Sequence, residues 1–343
     1  MSPSVNVLII KTSSLGDVIH TLPALTDAHT RNPNIHFDWV VEENFSEIPQ
    51  WHQAVSRLIP VALRRWRKNP YQAWRSGEWQ HFTQQLRQQN YDYIIDAQGL
   101  LKSAWLSRWA IGVRCGLDKH SAREPLASWN YHRHFFIDKQ QHAVERVRQL
   151  FAKVLDYSLE QLPLDYGIAS SFSNSTIKSN TLIFLHGTTW HTKQLPESLW
   201  FDLAQRAIAA GFEIRLAWGS TEEFDRAQRI ATLSSHISLI NKSNLYGLAT
   251  ELLQARAVIG VDTGLAHLAA ALAIPSVTIY SSTAPQRTGT YHFKQTHILT
   301  NFACAPCFRK KCSYPEDSAI FPPCYGNLSA DQVWQQLELL LKN

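Results

Sequence analysis

The sequence lacks an uninterrupted apolar run long enough to span a membrane. Its longest apolar stretch, residues 257–280, is broken by Asp262, His267 and Pro275. Because an unpaired charge is costly inside lipid, this stretch is predicted to be strand, turn, helix and strand instead. Near the amino terminus, the apolar run from Val7 to Ile10 is short and follows no basic residues. We therefore expect no signal peptide and a cytoplasmic location.

Charged residues and cysteines are also scarce. Charged residues make up 18% and hydrophobic residues 45% of the 343 residues, a composition that argues against a disordered or fibrous chain. The five cysteines are not expected to form a disulfide framework in a reducing compartment. The formal net charge of +5 fits an anionic partner of any class, whether nucleic acid, phospholipid or phosphorylated sugar.

What the sequence does contain is an alternation of strand and helix patterns in both halves. Val5 to Ile10 is a continuous β-branched run followed by a polar turn and a helical pattern, and similar units recur along the chain. This predicts an α/β protein of two Rossmann-like, doubly wound domains that face each other across a cleft. Nine strands are predicted, at residues 5–10, 37–41, 57–61, 93–95, 182–185, 213–217, 237–240, 257–261 and 276–280. A helix is predicted at residues 79–89, between the third and fourth strands.

Length and composition divide the chain. A single hydrophobic core rarely serves more than about 250 to 300 residues, so two domains are expected. The predicted boundaries are residues 1–165 and 166–328, and the polar stretch 158–180, with its serine-rich cluster at 170–175, is the predicted linker. A last helix, within 329–343, begins at the capping residue Ser329 and is expected to pack back on the first domain.

Two loops in the second half have the chemistry of a phosphate site. Asp262, Thr263 and Gly264 follow a predicted strand and open a helix, whose free backbone amides can face a pyrophosphate. A second loop with Thr188 and Thr189 also follows a strand. The hydroxyls there can hold diphosphate oxygens together with the amine of a nearby lysine. The further residues of this set are Lys193 and His267. Alternatively, Asp262 and Thr263 could simply cap the helix, with His267 as a core histidine. The loop with Thr188 and Thr189 could likewise be an ordinary turn between a strand and a helix.

The first half contains a candidate base and a basic run. Asp17 stands at the start of the first predicted helix, where the helix dipole favours its ionised form, so it can act as a general base or as a helix cap. The run from Arg64 to Lys68 suits an anionic acceptor, but it also fits nucleic acid or a solvated helix face.

Four of the cysteines lie within 21 residues of each other. Cys304, Cys307, Cys312 and Cys324 could close a small tetrahedral zinc site or form a reduced cluster that stabilises a loop. The spacing does not decide between these two alternatives.

Taken together, several sequence strings resemble those of the lipopolysaccharide heptosyltransferases of glycosyltransferase family 9, and among them type I. The resemblance covers nearly the whole chain, and its motifs are specific in combination. The strings are KTSSLGD at 11–17, HTLPAL at 20–25, DWVVEE at 38–43, IDAQGL at 95–100, AREPLAS at 122–128, QHAVER at 141–146 and DTG at 262–264.

The resemblance implies a GT-B fold and an enzyme that transfers heptose from ADP-heptose to a 3-deoxy-manno-octulosonic acid (Kdo) residue of Kdo2-lipid A, with inversion. No cofactor is required, because ADP-heptose is a substrate. The implied partners are these two molecules and the cytoplasmic face of the inner membrane, with no nucleic acid, and we expect a monomer. The cysteine cluster is more similar to that of type II, so a type II enzyme acting on a heptosylated acceptor is the alternative.

The resemblance also implies a role for individual residues. Asp17 is similar to the catalytic base of the family. The implied acceptor contacts are Arg64, Arg65, Lys68 and Arg123, and the implied donor-binding residues are Thr188, Thr189, Lys193, Glu223, Asp262, Thr263, Gly264 and His267. A nucleic-acid-binding module would leave the paired phosphate loops unexplained, and a dehydrogenase would be expected to have a G-x-G-x-x-G turn after its first strand, where this chain has KTSSLGD.

Overall fold

The computed structural model describes residues 4–172, 179–316 and 320–342. The chain divides into two compact units, residues 1–171 and 172–343. Within the predicted linker, residues 173–178 lie outside the described residues, and this includes half of the serine-rich cluster. No helix among the described residues is both long enough and apolar enough to cross a membrane.

The first unit is a six-stranded parallel sheet with helices between its strands. The strand order is β3-β2-β1-β4-β5-β6, so the chain reverses direction across the sheet between β1 and β4. The strands are β1 (Val5–Ile10), β2 (Ile35–Glu42), β3 (Val55–Val61), β4 (Asn90–Asp96), β5 (Ile111–Leu117) and β6 (Arg133–Phe135). The helices are α1 (Leu15–Ile19), α2 (Leu22–Arg31), α3 (Glu47–Gln50), α4 (Leu63–Lys68), α5 (Pro70–Arg75), α6 (Glu78–Arg87), α7 (Leu101–Ser107) and α8 (Ala143–Leu155).

The second unit repeats this arrangement. Its parallel strands follow the order β12-β11-β10-β7-β8-β9, with the reversal between β7 and β10. The strands are β7 (Thr181–Leu185), β8 (Glu213–Leu216), β9 (Ile237–Leu239), β10 (Ala257–Val261), β11 (Ser276–Tyr280) and β12 (Gln295–Leu299). The helices are α9 (Glu197–Ala209), α10 (Thr221–Ala231), α11 (Leu245–Gln254), α12 (Gly264–Ala271), α13 (Pro285–Thr288) and α14 (Ala330–Lys342).

The central strands are buried because helices cover both faces of each sheet. Residues 7–10 of β1 and all five residues of β10 are buried. A strand buried on both faces needs apolar side chains at every position, which is why these strands appear in the sequence as continuous apolar runs. The predicted α/β, doubly wound class is therefore confirmed for both units.

The last helix differs from its prediction. Ser329 caps α14 as expected, since its hydroxyl accepts a hydrogen bond from the Gln332 amide at 3.3 Å. The apolar face of α14, however, lies in the core of the second unit, where Val333 and Leu337 are buried and the helix packs on α9. This face was expected to pack on the first domain, but the apolar surface of its own unit covers it.

Candidate functional site

The two predicted phosphate loops lie side by side in the second unit. They follow β7 and β10, which are adjacent and parallel, with Leu185 paired to Gly260. The Thr188 hydroxyl donates to the backbone carbonyl of Asp262 at 3.4 Å and so joins the two loops. Ligands of doubly wound sheets bind at the carboxyl ends of the strands where the strand order reverses, and these loops occupy that position.

Asp262 is the centre of a buried polar cluster at this position. Its Oδ2 accepts hydrogen bonds from the Lys193 ammonium at 2.6 Å and from the Thr283 hydroxyl at 2.5 Å. Its Oδ1 lies 3.6 Å from Nε2 of His267. The Lys193 ammonium also lies 4.6 Å from the centre of the Trp190 ring. The carboxylate therefore fixes the positions of a lysine and a histidine beside the phosphate loops.

The charge state of Asp262 follows from these partners. Burial by itself would raise the pKa of this carboxyl group, but the hydrogen bond from His267 and the positive charge of Lys193 outweigh burial and hold the pKa well below its usual range. Asp262 is therefore ionised at neutral pH, as a counter-ion for the lysine must be.

Thr263 and Gly264 provide the start of a helix next to this cluster. Thr263 has extended backbone geometry as the N-cap residue, and α12 begins at Gly264. The first amides of a helix have no partners inside the helix, and the helix dipole places partial positive charge there. An anion at this end of α12 would meet these amides together with the Lys193 ammonium.

Glu223 lies close to the loop after β7, as it must if Glu223 and that loop bind the same donor. A Cβ atom on Gly187 would lie 2.4 Å from the Glu223 carboxyl carbon, so any other residue there would displace the Glu223 carboxylate. The carboxylate also accepts hydrogen bonds from the amides of Gly219 and Ser220, at 2.7 and 3.3 Å, and forms a capping box at the start of α10. The sequence had indicated only a ligand-binding role for Glu223, and the structure adds this capping role.

In the first unit, Asp17 lies beyond the end of β1, the strand that corresponds to β7. Its Oδ2 accepts hydrogen bonds from the Ser14 amide at 2.7 Å and the Ser14 hydroxyl at 3.0 Å. The Asp17 side chain is 32% exposed, and Oδ1 lies 3.9 Å from the ammonium of Lys11. The carboxylate is thus oriented as a helix cap and remains accessible, so its two predicted roles are compatible.

Lys11 was not predicted as a site residue. Its buried ammonium donates to the carbonyl of Ala97 at 2.9 Å, which connects the ends of β1 and β4. Burial lowers the pKa of Lys11, whereas the negative charges of Asp17 and Asp96 act in the opposite direction. Gln98 braces the same loop, since its side-chain amide donates to the Ser13 carbonyl at 2.7 Å.

The four predicted acceptor residues follow strands of the first sheet at the same edge as Asp17. Arg64, Arg65 and Lys68 are exposed on α4, which follows β3. Arg65 forms ion pairs with Glu43 at 3.1 Å and Glu78 at 2.8 Å. Arg123 is exposed in the segment after β5. An anionic group bound by Arg65 would have to compete with two carboxylates of the same unit.

The four clustered cysteines line one small cavity in the second unit. Burial, and then the proximity of Cys304, Cys312 and Cys307, raises the pKa of Cys324 to about 11, so its thiol is protonated at neutral pH. Across the three described ranges, no group of three or more histidine, cysteine or acidic side chains could hold a metal ion. The described residues therefore do not support the zinc alternative.

Thr283, whose hydroxyl donates to Asp262, was not predicted as a site residue. Thr283 follows β11, the strand next to β10, so its position after a buried strand was the signal that could have revealed it. His186, the first residue after β7, was also passed over, and burial followed by the charge of Arg226 lowers its pKa to about 4.

Comparison with known proteins gives consistent results. Residues 79–317 match the model of glycosyltransferase family 9 (heptosyltransferase). "Lipopolysaccharide heptosyltransferase 1" of Pseudomonas aeruginosa is 50% identical over 347 residues, covering 98% of each chain. The solved structure of E. coli heptosyltransferase WaaC with ADP has a TM-score of 0.87 at 44% identity and covers 98% of this chain and 100% of its own. The E. coli WaaC structure with ADP-2-deoxy-2-fluoro heptose has a TM-score of 0.84 at 45% identity, with 98% and 99% covered.

Two doubly wound units and the match to WaaC identify the chain as a glycosyltransferase with the GT-B fold. The chain belongs to glycosyltransferase family 9, the heptosyltransferases. The predicted enzyme class and family are thereby confirmed.

Proposed function

We propose that this protein transfers L-glycero-D-manno-heptose from ADP-heptose to a Kdo residue of Kdo2-lipid A, in the assembly of the lipopolysaccharide inner core. The observation that carries this proposal is the Asp262 cluster beside the open start of α12, because it joins a lysine, a histidine and helix amides where a diphosphate needs them. Support for the sugar comes from the relatives, since the similar E. coli WaaC structure holds an ADP-heptose analogue.

Asp17 is the proposed general base. Its carboxylate would take the proton from the acceptor hydroxyl while that oxygen forms a bond to the anomeric carbon of the heptose. The bond between this carbon and the ADP oxygen breaks at the same time, and its electron pair leaves with ADP. Attack from the face opposite ADP inverts the anomeric configuration. The partial exposure of Asp17 and its two hydrogen bonds from Ser14 support this role.

The donor loops would stabilise the departing diphosphate. Lys193 and the first amides of α12 supply positive charge, and the hydroxyls of Thr188 and Thr189 supply hydrogen bonds. His267 and Thr263 complete this set. Held by Asp262, the lysine needs no reorganisation when negative charge develops, which is the condition for effective electrostatic catalysis. Glu223 would accept hydrogen bonds from the ribose hydroxyls.

The acceptor would bind to the first unit. Kdo2-lipid A carries carboxylates and phosphates, which suit the guanidinium groups of Arg64, Arg65 and Arg123 and the ammonium of Lys68. Because this acceptor is a lipid, the enzyme would work at the cytoplasmic face of the inner membrane, without inserting into it. We propose that it works there as a monomer.

A type II enzyme is the competing assignment, because of the cysteine cluster. The deciding experiment offers ADP-heptose with purified Kdo2-lipid A and, separately, with the same acceptor already carrying one heptose. The proposal predicts that a heptose is added to the first acceptor. A product formed only from the second acceptor would move the assignment to type II, and no product from either would overturn heptosyl transfer to this class of acceptor.

A further inference from the structure

Exposed tryptophans are confined to one unit of the protein. All twelve tryptophans are among the described residues, and the three that are exposed are Trp74, Trp105 and Trp129, at 63%, 46% and 80%. All three belong to the first unit. Tryptophan side chains are seldom left in water by chance, because each has a large apolar ring and a single polar N–H group.

These tryptophans lie on connected elements and have exposed apolar neighbours. Tyr71 and Trp74 are neighbours on α5, with ring centres 6.5 Å apart, and α5 packs on α6. From α6, Trp79 stacks on Trp105 of α7 at 4.9 Å. Helix α7 in turn packs on the 3-10 helix at 125–130, which carries Trp129. We call Tyr71, Trp74, Leu101, Trp105, Leu126 and Trp129 the tryptophan surface; all six side chains are exposed.

The same part of the chain holds an excess of positive charge. Residues 63–136 contain twelve lysines and arginines against five acidic residues, a net charge of +7, so the rest of the chain has a net charge of −2. One of the five acids, Asp96, is buried. The exposed cations include Arg67, Arg75, Lys102 and Arg108, none of which is among the proposed acceptor contacts.

We propose that the tryptophan surface and the exposed cations of residues 63–136 dock this enzyme on an anionic lipid bilayer. Tryptophan and tyrosine favour the headgroup level of a bilayer, where the ring is in apolar surroundings and its polar atom is hydrated. Lysine and arginine add an attraction to anionic lipids that extends about one Debye length from the membrane. The first unit has both the exposed aromatic side chains and the excess of positive charge. The proposal rests on the proposed function in one respect, which is that the acceptor lies in the membrane.

Docking of this kind would bring Asp17 to the substrate rather than bind the substrate itself. Loss of docking should therefore slow transfer to an acceptor embedded in a bilayer and leave transfer to a water-soluble, deacylated acceptor unchanged. This difference separates the tryptophan surface from the acceptor contacts, whose loss would impair transfer to both forms.

The test is sedimentation of the full-length protein with two kinds of vesicle, phosphatidylcholine alone and phosphatidylcholine mixed with phosphatidylglycerol. We expect binding to the mixed vesicles only. Trp74→Ala and Trp129→Ala should each weaken that binding roughly tenfold, because an aromatic side chain no longer leaves water. Arg75→Gln and Arg108→Gln should each weaken it about fivefold. Added salt should also weaken the binding, because it screens the attraction between the cations and the anionic lipids.

Matched controls come from the second unit. Phe293 is 84% exposed, and Arg256 is exposed as well, so Phe293→Ala and Arg256→Gln remove the same kinds of side chain elsewhere. Neither change should alter vesicle binding. Each variant is also assayed with the deacylated acceptor, which shows that its site is intact.

Three results would overturn the proposal. The first is equal binding to neutral and anionic vesicles, and the second is equal loss of binding in the controls and the tryptophan variants. The third is a dimer in vesicle-free solution that Trp74→Ala dissociates, since the surface would then cover a second copy of the chain. If vesicle binding follows the prediction but no acceptor is glycosylated, docking stands and the proposed function fails.

Discussion

The two units have the same strand order, yet the points where that order reverses carry different chemistry. In the first unit, the end of β1 presents one carboxylate, Asp17, which is partly exposed and held by Ser14. In the second, the end of β10 presents Asp262, which is buried, paired with the Lys193 ammonium and 3.6 Å from Nε2 of His267. The same residue type, after the first strand of one sheet and after the fourth strand of the other, thus has opposite surroundings.

This difference indicates a division of labour between the units. A carboxylate that is to accept a proton must be accessible and cannot be tied up in a strong ion pair. A carboxylate that positions a cation for a diphosphate must instead be buried and permanently ionised, and its partners keep the pKa of Asp262 low. Each sheet offers loops at the point where its strand order reverses, and the neighbouring side chains decide what a carboxylate there can do.

The largest expected effect concerns Asp17. Asp17→Asn should lower kcat by about 10²- to 10⁴-fold, because a neutral amide cannot accept the acceptor's proton, whereas the affinity for ADP should not change. Steady-state kinetics and calorimetric titration with ADP measure both quantities. Ser14→Ala is the control, since it removes one hydrogen bond to Asp17 but keeps the carboxylate. Unchanged turnover in Asp17→Asn would exclude Asp17 as the base.

The next prediction compares a buried histidine in each unit. Burial, followed by nearby positive charge, lowers the pKa of His52 and of His186 to about 4, against about 6.5 in the unfolded chain. Between these pH values the unfolded chain binds more protons, so the free energy of unfolding should be constant above about pH 6.5 and fall as pH drops towards 4, by about 3 kcal/mol for each histidine.

Denaturant titrations at a series of pH values measure this loss. His186→Phe should remove the contribution of the second unit, and His52→Asn should remove that of the first, with an amide oxygen to replace Nδ1 as acceptor for the Ala54 amide. A pH dependence identical to that of the wild type in both variants would contradict the account.

Lys193 tests the donor side. Lys193→Met should weaken ADP binding by about 10- to 100-fold, since a hydrogen bond to a charged group contributes about 1.5 to 3 kcal/mol. Lys310→Met is a close control, because the Lys310 ammonium lies 5.9 Å from the centre of the same Trp190 ring. If both variants bind ADP equally well, Lys193 does not bind the diphosphate. The proposed role of Asp262, which is to hold Lys193, is then wrong as well.

The smallest effect is expected at Thr283. Thr283→Val removes one of the hydrogen bonds to Asp262 and should lower the free energy of unfolding by about 1 kcal/mol. Thr283→Ser retains the hydroxyl and should recover most of that loss in the same denaturant titration. Equal stability of the valine and serine variants would show that this hydroxyl contributes nothing to the cluster.

Much of the fold follows from the sequence because the central strands are buried on both faces. The runs at β1, β7, β10 and β11 are largely apolar, so each was predicted within a residue or two of its observed bounds. By contrast, β5, β6 and β12 were missed. β5 contains Gly112 and Gly116 with Arg114 between them, β6 has only three residues, and the residues of β12 are at most half-buried. Peripheral strands need no continuous apolar run and so leave little signal.

The candidate site was predictable in its parts but not in its contacts. Asp262 and Lys193 were each suggested by a loop after a strand, yet 69 residues separate them and only the strand order brings them together. Lys11 escaped notice because a buried lysine at the end of a strand has no local pattern that distinguishes it from an exposed one. The face of α14 was assigned to the wrong unit because the spacing of apolar residues predicts that a helix face is buried but not which element it packs against.

A double-mutant cycle of ADP binding between Asp17 and Lys193 tests the division of labour most directly. The affinity for ADP is measured calorimetrically in the wild type, Asp17→Asn, Lys193→Met and the double variant. The account predicts that the double variant binds ADP as Lys193→Met does, with an interaction energy within about 0.5 kcal/mol of zero, because the two residues serve different substrates. A loss of ADP affinity in Asp17→Asn as large as that in Lys193→Met would contradict it.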